Sequence, residues 1–383
     1  MKNQFLKISV LSITALFFSC SDDDSITPNS NSSTSYKGTQ SPGDVWEWDF
    51  DAENLTFTAS WDHGTFEDTS DDVSVNGNYQ ILPSGFYNCT VTGSDNTNDI
   101  PNNTTFYAFE VPGIALLVKP ENGDLITAAA AGDCGDVAGE YTFVKIAPGL
   151  DDNNNVENPL TTAAYGNYSL TSIDGGFSVS GSESSLDCAN GGLGTCTIDN
   201  ESFNISAAVT CENNGQITVH DLNTNEIVAE GQFGDVSMVI DQGYGNGGVI
   251  GFKKSAAFNP SSEELLGVTF TGVAYLPYNT GNDKVLPVQV SWIHDENNAL
   301  VGEGSLIGNV ETGEIDAETT VVLDITDIPG DGSFSGAVNY PVNDYTIGKN
   351  YQGILVESAG QQMMVITTVN QNDEPYTLVL VRK

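Results

Sequence analysis

Three histidines are the first side chains in which acid–base chemistry would be sought, and each has an aspartate as its neighbour. The pairs are Asp62-His63, His220-Asp221 and His294-Asp295. A catalytic triad is defined by geometry and role, and no Gly-x-Ser-x-Gly turn leading into a helix accompanies these pairs. Each pair stands beside a turn at the edge of a predicted strand. The sequence therefore predicts turn or surface histidines and indicates no catalytic residue.

Acidic residues dominate the charged side chains. The chain has 52 Asp and Glu against 11 Lys and Arg, which gives a formal net charge of −41. Glycoside hydrolysis needs two carboxylates at a defined separation, and spacing singles out no pair among so many. Binding to nucleic acid needs clustered cations, and only Lys253-Lys254 and Arg382-Lys383 are adjacent. The composition excludes a nucleic-acid partner and disfavours an enzyme, and it suits saline or calcium-containing surroundings.

Two acidic loops could bind calcium, which takes six to eight oxygen ligands. The segment 324–332 begins like an EF-hand loop, but Pro329 stands at a ligand position and Val338 replaces the closing glutamate. The segment 151–155 is rich in side-chain oxygens. Ordinary solvated turns explain both segments as well, so Ca²⁺ is the one cofactor that the sequence leaves open. The candidate ligands are Asp324, Asp327, Asp331, Asp151 and Asp152.

One segment has aromatic residues at alternate positions. Since side chains alternate between the faces of a strand, Trp46, Trp48 and Phe50 should share one face, and Leu55, Phe57 and Trp61 repeat the pattern. Such a face usually packs into the core of a sheet. The functional alternative is an exposed platform for sugar rings, in which Trp46 and Trp48 would bind the ligand. Truncation distinguishes the two, because a core tryptophan contributes about 3 to 5 kcal/mol of stability.

Six cysteines are present, and one of them, Cys20, lies at the end of an apolar N-terminal segment. Cys188 and Cys196 flank a short Gly-rich loop and form the preferred disulfide, while Cys89 with Cys134 is a weaker pairing. Spacing alone does not fix connectivity. No Cys-x-x-Cys or nearby histidine pair suggests zinc.

The N-terminus has the layout of a secretory signal peptide. Lys2 and Lys7 precede the apolar stretch 8–18, which is shorter than the roughly 20 residues that a spanning helix needs. The sequence Leu16-Phe17-Phe18-Ser19-Cys20 resembles a lipobox, although Phe17 stands where that motif usually has leucine. The resemblance implies that residues 1–19 are removed and that Cys20 is acylated, for instance with palmitate. Two or more acyl chains form a stable membrane anchor.

The residues after Cys20 bear on where the protein is displayed. Ser21, Asp22, Asp23 and Asp24 resemble the acidic export signal of Bacteroidota-type surface lipoproteins. That resemblance implies a lipid-anchored protein on the outer face of the outer membrane; a plain solvated tether is the alternative. Residues 25–43 are rich in Ser, Asn, Thr, Pro and Gly, so residues 20–43 are predicted to be a flexible stalk.

From Val45 onward the chain reads as all-β. Short β-rich runs alternate with Gly, Asn and Asp turns, a pattern typical of antiparallel sandwiches or barrels. The exception is the capping box at 261–266, which predicts a short helix. Two segments share a pattern, Gly77-Asn78-Tyr79 and Gly166-Asn167-Tyr168, each followed by Gly-Phe and Gly-Ser. A duplicated hairpin and chance similarity explain that pattern equally well.

About 340 residues follow the stalk, which is more than one domain usually holds and suggests two β domains. The predicted N-terminal region spans residues 44–258, with an optional break near 150–158, and the C-terminal domain spans 265–383. The leading hypothesis is an outer-membrane surface lipoprotein that binds an extracellular ligand. The alternatives are a secreted polysaccharide hydrolase and a structural or adhesive surface component.

Overall fold

A computed structural model describes most of the chain after the predicted stalk begins. The described residues are 34–40, 43–62, 70–120, 124–134, 137–150, 156–173, 176–187, 197–221, 224–243, 247–276, 285–327, 332–340, 345–358, 360–368 and 377–382. Most of them lie in antiparallel strands, so the all-β prediction is confirmed. The strands close into three barrels of eight strands each.

In each barrel, strands that follow one another in sequence are neighbours in the sheet, and the last strand pairs with the first. The first barrel contains β1 (Thr34–Gln40), β2 (Asp44–Asp51), β3 (Thr56–Asp62), β4 (Val73–Ile81), β5 (Tyr87–Ser94), β6 (Thr105–Val111), β7 (Ala115–Pro120) and β8 (Ile126–Ala130). The pairing of β1 with β8 closes it, with Gly38 opposite Ala128. A Cβ on Gly38 would overlap the backbone of β8, so this close approach requires glycine.

The second barrel contains β9 (Gly139–Leu150), β10 (Val156–Ile173), β11 (Gly176–Asp187), β12 (Thr197–Cys211), β13 (Gln216–His220), β14 (Ile227–Phe233), β15 (Ser237–Asp241) and β16 (Gly248–Lys253). The third barrel contains β17 (Thr269–Tyr275), β18 (Val285–His294), β19 (Leu300–Asn309), β20 (Glu314–Asp327), β21 (Ser333–Tyr340), β22 (Tyr345–Ser358), β23 (Gln361–Thr368) and β24 (Thr377–Arg382). The second barrel closes through β9 and β16, and the third closes through β17 and β24.

The predicted helix is confirmed as α1 (Ser262–Leu265), in the connection between the second and third barrels. The Ser261 hydroxyl accepts from the backbone N–H of Glu264, and the Glu264 carboxylate accepts from the backbone N–H of Ser261. This reciprocal pair satisfies two backbone donors that the helix itself cannot. None of the helices in the described ranges has the length and apolarity that crossing a bilayer requires.

Each barrel has its own apolar interior, and a fourth cluster lies between the barrels. This inter-barrel core draws outward-facing side chains from all three barrels, among them Phe109, Leu117, Phe252, Val273 and Val379. Strands that contribute to both an interior and an interface are buried throughout: β8 is buried at every position, whereas β4 alternates buried and exposed residues along most of its length. The barrels therefore pack as one assembly around a shared core.

Inside the barrels, phenylalanine rings lie over glycines on the neighbouring strand. Gly77 is opposite Phe57, Gly166 is opposite Phe143, and Gly353 is opposite Phe334. A Cβ at any of these glycines would meet the ring at 3.0 Å or less. Two of the glycines begin the repeated Gly-Asn-Tyr segments, but β4 is the fourth strand of its barrel and β10 the second. The repeat therefore reflects a shared ring-over-glycine packing at positions that are not equivalent.

The barrels place the chain's divisions differently from the sequence prediction. The predicted stalk reached residue 43, but Thr34–Gln40 form β1, because pairing with β2 and β8 provides burial that the segment's own composition does not. Residues 150–158, offered as an optional break, fall at the connection between β9 and β10 of one barrel. Along the chain, the boundary between the first and second barrels lies instead at residues 131–138. The third barrel lies within the predicted 265–383 domain.

Candidate functional site

The tryptophans singled out by alternation point into the first barrel. Trp46 and Trp48 on β2 are 8% and 3% exposed, and Phe50 follows them into the interior. The exposed-platform interpretation is therefore wrong, because the face that it needed is turned towards the barrel axis. Phe57 and Trp61 on β3 also face inward, whereas Leu55 does not share their face: it has a φ of 54° in the preceding turn and is 40% exposed.

Three indoles stack in a row at one end of this barrel. The ring centroids of Trp46 and Trp48 are 5.2 Å apart, and those of Trp46 and Trp61 are 5.4 Å apart, with interplanar angles of 15° and 7°. Register explains the row, since Trp46 and Trp61 are directly opposite each other on β2 and β3. Phe106 meets Trp48 edge to face at 5.3 Å. We call this row of Trp46, Trp48 and Trp61 the tryptophan row.

A cavity of about 290 Å³ adjoins the tryptophan row at the mouth of the barrel. Its other walls are Val75, Val91, Phe106, Val118 and Ile126, with Asp44 and Asp99 among the polar lining residues. The 95–104 connection between β5 and β6 covers one side, because Ile100 packs against the barrel interior. Backbone hydrogen bonds between Val91 and the 103–104 segment hold this connection in place. The mouth of the barrel therefore combines a preformed cavity with an aromatic wall.

The polar atoms of the tryptophan row differ in how well they are satisfied. Trp46 Nε1 donates to Gln40 Oε1 at 3.2 Å. Trp48 Nε1 is buried and has no acceptor among the described residues. A buried N–H without a partner costs about 1 to 3 kcal/mol in desolvation, so the fold retains an unfavourable feature in a residue that lines the cavity.

The opposite end of the first barrel is closed by a carboxylate held by two phenols. Tyr36 Oη donates to one oxygen of Glu110, and Tyr87 Oη donates to the other. Burial and the Glu110 charge raise the pKa of both phenols well above their usual range. The Tyr79 ring stacks on that of Tyr87 at 4.8 Å, and burial raises the pKa of Tyr79 to about 12. The phenols therefore stay neutral and donate to Glu110. Their side chains and Glu110 fill this end of the barrel, whereas the cavity lies at the other end.

A polar seam joins the first and second barrels beside the mouth. Lys37 is buried, with Nζ 2.9 Å from Glu47 Oε1 and 3.3 Å from Glu230 Oε2. Asp241 is 1% exposed and accepts hydrogen bonds from the Thr39 hydroxyl and the backbone N–H of Gly243. Burial raises the pKa of Asp241 to about 7; the hydrogen bonds oppose this shift, while the nearby charges of Asp44 and Asp62 add to it. The seam therefore contains a carboxyl group that titrates near neutral pH.

A second concavity, of about 340 Å³, lies between the second and third barrels. Its walls carry mostly uncharged polar side chains, and several of these bond to one another: Thr142 Oγ1 donates to Asn167 Oδ1 at 2.9 Å, and Ser184 Oγ donates to Asn200 Oδ1 at 2.7 Å. These cross-strand pairs satisfy donors within the wall. The mouth of the first barrel, with its buried indole N–H, is the better candidate site.

The calcium ligands proposed from sequence divide between described and undescribed residues. Asp324 and Asp327 lie on strand β20, whereas Asp331, Asp151 and Asp152 lie outside the described residues. The described part of the chain contains no group of three His, Cys, Asp or Glu that could hold a metal ion. Calcium binding stays a prediction.

The histidines in the described ranges stand where turns begin. His220 and His294 are the last residues of β13 and β18, as predicted, and His63 lies outside the described residues. The nearest described partner of His220 is the Thr210 hydroxyl, 3.3 Å from Nε2. A threonine beside a histidine in an exposed cross-strand pair does not constitute a triad.

A disulfide joins Cys134 to Cys211, with the Cα atoms 5.8 Å apart. It ties the connection between the first and second barrels to the end of β12. The Cys89–Cys134 pairing is therefore wrong, because Cys89 faces the interior of the first barrel, where burial raises the pKa of its thiol. Cys188 and Cys196 lie outside the described residues, and their pairing stays a prediction.

The lipidation and export residues, Cys20, Ser21, Asp22, Asp23 and Asp24, also lie outside the described residues. Sequence alternation located Trp46 and Trp48, but it gave no sign of the cavity, of Asp44 or of the stacking with Trp61. Those features depend on the closure of the barrel and on the register between β2 and β3.

Comparison with known proteins adds little. No protein family matches the chain, and none of the curated proteins matches it significantly. A solved structure of a protein of unknown function from the DUF3598 family of Nostoc punctiforme PCC 73102 is similar at 14% identity. The alignment covers 64% of this chain and 95% of that chain, with a TM-score of 0.23. A TM-score this low does not establish a shared fold.

Proposed function

We propose that this protein is an outer-membrane surface lipoprotein that binds a small extracellular ligand in the mouth of its first barrel. The observation that carries the binding proposal is Trp48, a residue of the cavity wall whose indole N–H is buried without an acceptor among the described residues. A ligand that offers an acceptor to this N–H recovers its desolvation cost.

The form of the cavity supports a ligand of modest size. Small-molecule sites are concave, mostly apolar and largely preformed, with a few polar groups that fix orientation. The mouth of the first barrel meets this description: the tryptophan row and Phe106 supply flat apolar surface, while Asp44 and Asp99 supply polar groups. The opposite end is plugged by Glu110 and its two tyrosines, so the ligand enters through the mouth.

A thermal-shift screen of a chemically mixed library tests the binding proposal. We expect compounds that bind to raise the melting temperature, because a ligand that binds only the folded state stabilises it. Trp48→Phe keeps a ring and removes the N–H, so it should weaken those shifts. Trp292→Phe, at a buried tryptophan in the third barrel, is the matched control and should leave them intact. Shifts that survive Trp48→Phe but not Trp292→Phe would place the ligand elsewhere.

The anchoring part of the proposal is tested separately at Cys20. Cys20→Ala should release the protein from membranes, because the proposed anchor is covalent lipid. Membrane fractionation after a high-salt wash measures this, and retention of the variant in the pellet would contradict it. Changing Asp22, Asp23 and Asp24 to Ala should keep the protein acylated but reduce its protease accessibility on intact cells. Unchanged accessibility would contradict surface export by this signal.

A further inference from the structure

The charges around the mouth of the first barrel indicate which class of ligand it takes. Asp44 is 6% exposed and lines the cavity beside the tryptophan row, and Asp99 lies on the covering connection. None of the described residues that line the cavity is basic. An anion that entered the cavity would be repelled by two carboxylates in its lining, whereas a positively charged group would be attracted to them.

The aromatic wall favours the same sign of charge. The face of an indole carries partial negative charge and attracts a cation within about 6 Å, more strongly than other aromatic rings do. Three indoles and Phe106 line one cavity, so an ammonium group that entered it would lie near aromatic rings as well as carboxylates. The net charge of −41 also raises the local concentration of cations and speeds their encounter with the site.

We propose that the mouth of the first barrel binds an organic cation, a quaternary or protonated amine that also carries a hydrogen-bond acceptor. This inference rests on the proposed function, because it names the ligand class of the same cavity. The ammonium group lies against the tryptophan row near Asp44, and the acceptor takes the Trp48 N–H. A bare metal ion fits poorly, because calcium needs six to eight oxygens and this cavity is walled mainly by carbon.

Choline and its neutral isostere 3,3-dimethylbutan-1-ol form a matched pair of probes. Both have a hydroxyl that can accept from Trp48 and a bulky trimethyl head, and they differ in the charge of that head. Isothermal titration should show that choline binds at least about tenfold more tightly than the neutral alcohol. Equal binding, tighter binding of the alcohol, or no binding of choline would overturn the cation assignment.

Variants of the carboxylates locate the effect. Asp44→Asn should weaken choline binding by about tenfold and leave binding of the alcohol unchanged, because it removes charge and keeps volume. Asp99 lies on an exposed connection, so Asp99→Asn should weaken choline binding by about two- to threefold. If Asp44→Asn fails to fold, Asp99→Asn tests the contribution of the carboxylates. Glu53→Gln changes charge equally at an exposed turn beyond the end of β2, away from the mouth, and should alter affinity by less than about twofold.

The two proposals fail in different ways. If choline binding is insensitive to both Asp44→Asn and Asp99→Asn, the cation assignment is wrong. If neutral library compounds still give shifts that Trp48→Phe abolishes, the first barrel remains a ligand-binding barrel of another specificity. The binding part of the proposed function fails when no compound gives a shift that depends on Trp48.

Discussion

The first and third barrels each bury a tryptophan whose indole N–H has no acceptor among the described residues, but they place the ring differently. Trp292 in the third barrel is 0% exposed, and its ring lies against Gly302 on the next strand, where a Cβ would come within 3.1 Å of it. Trp48 in the first barrel stands in a row of three indoles beside a cavity of about 290 Å³.

The difference separates a side chain that fills a barrel from one that lines a cavity. Gly302 makes room for the Trp292 ring, and Gly353 makes room for the Phe334 ring in the same barrel. The mouth of the first barrel has three indoles, a covering connection and carboxylates, and space remains between them. The same residue type therefore fills space in one barrel and lines a cavity in the other.

The largest expected effect comes from truncating the two kinds of tryptophan. Trp292→Ala should reduce the free energy of unfolding by about 3 to 5 kcal/mol, because it leaves a cavity in a closely packed interior. Trp46→Ala should cost less, about 1 to 3 kcal/mol, since this ring already borders empty space and loses fewer contacts. Urea denaturation of both variants measures the difference. Equal losses would show that the two interiors are packed alike.

The second prediction concerns the pH dependence of stability. Asp241 lies on β15 of the second barrel and accepts a hydrogen bond from Thr39 of the first barrel. The folded chain keeps a proton on Asp241 up to about pH 7, whereas the unfolded chain releases it near pH 4, so stability falls as the pH rises through that interval. Asp241→Asn removes the cost of ionising the buried carboxyl. It should raise the free energy of unfolding at pH 8 by roughly 2 to 4 kcal/mol and have little effect at pH 4.

Denaturation of wild type and Asp241→Asn across this pH range checks the sign. Trp292→Phe serves as the comparison, because a substitution in the apolar interior of the third barrel should shift stability by the same amount at every pH. A variant Asp241→Asn whose gain is constant from pH 4 to pH 8 would show that Asp241 titrates normally.

The smallest effects test free space directly. Gly302→Ala should cost about 1 to 2 kcal/mol, because the new Cβ would press on Val290 and Trp292 at 3.0 to 3.1 Å. Val75→Ile adds one methylene at a cavity wall of the first barrel and should cost less than about 0.5 kcal/mol. Thermal melts compare the pair. A larger loss from Val75→Ile than from Gly302→Ala would contradict the assignment of space to the first barrel.

The sequence predicted β2 and missed β8, two short strands of the first barrel. The alternation of Trp46, Trp48 and Phe50 was a sufficient signal, since β2 has one face in the barrel interior. The all-buried β8, with sequence ITAAA, was not predicted, because alanine is a weak strand former and a strand packed on both faces shows no alternation. Without β8 neither the closure of the first barrel nor its boundary at 131–138 could be seen.

For a related reason, the sequence predicted the inward tryptophans of the candidate site but not their partners on other strands. The inward face of β2 was local information, but the stacking of Trp61 on Trp46 depends on register across two strands. The Cys134–Cys211 disulfide depends on contacts between residues 77 positions apart. Barrel closure sets long-range pairings of this kind, and the spacing of residues along the sequence does not show how a barrel closes.

The ligand site in the first barrel is tested most directly by the ¹H–¹⁵N spectrum of the indole N–H groups. The chain has four tryptophans, so each indole gives one signal, and Trp→Phe variants assign them. On titration with choline and with 3,3-dimethylbutan-1-ol, we expect at least one probe to move the Trp48 signal as its N–H gains an acceptor, while the Trp292 signal stays in place. An unmoved Trp48 signal with both probes and with every library compound that raises the melting temperature, or a response confined to Trp292, would contradict a ligand site in the first barrel.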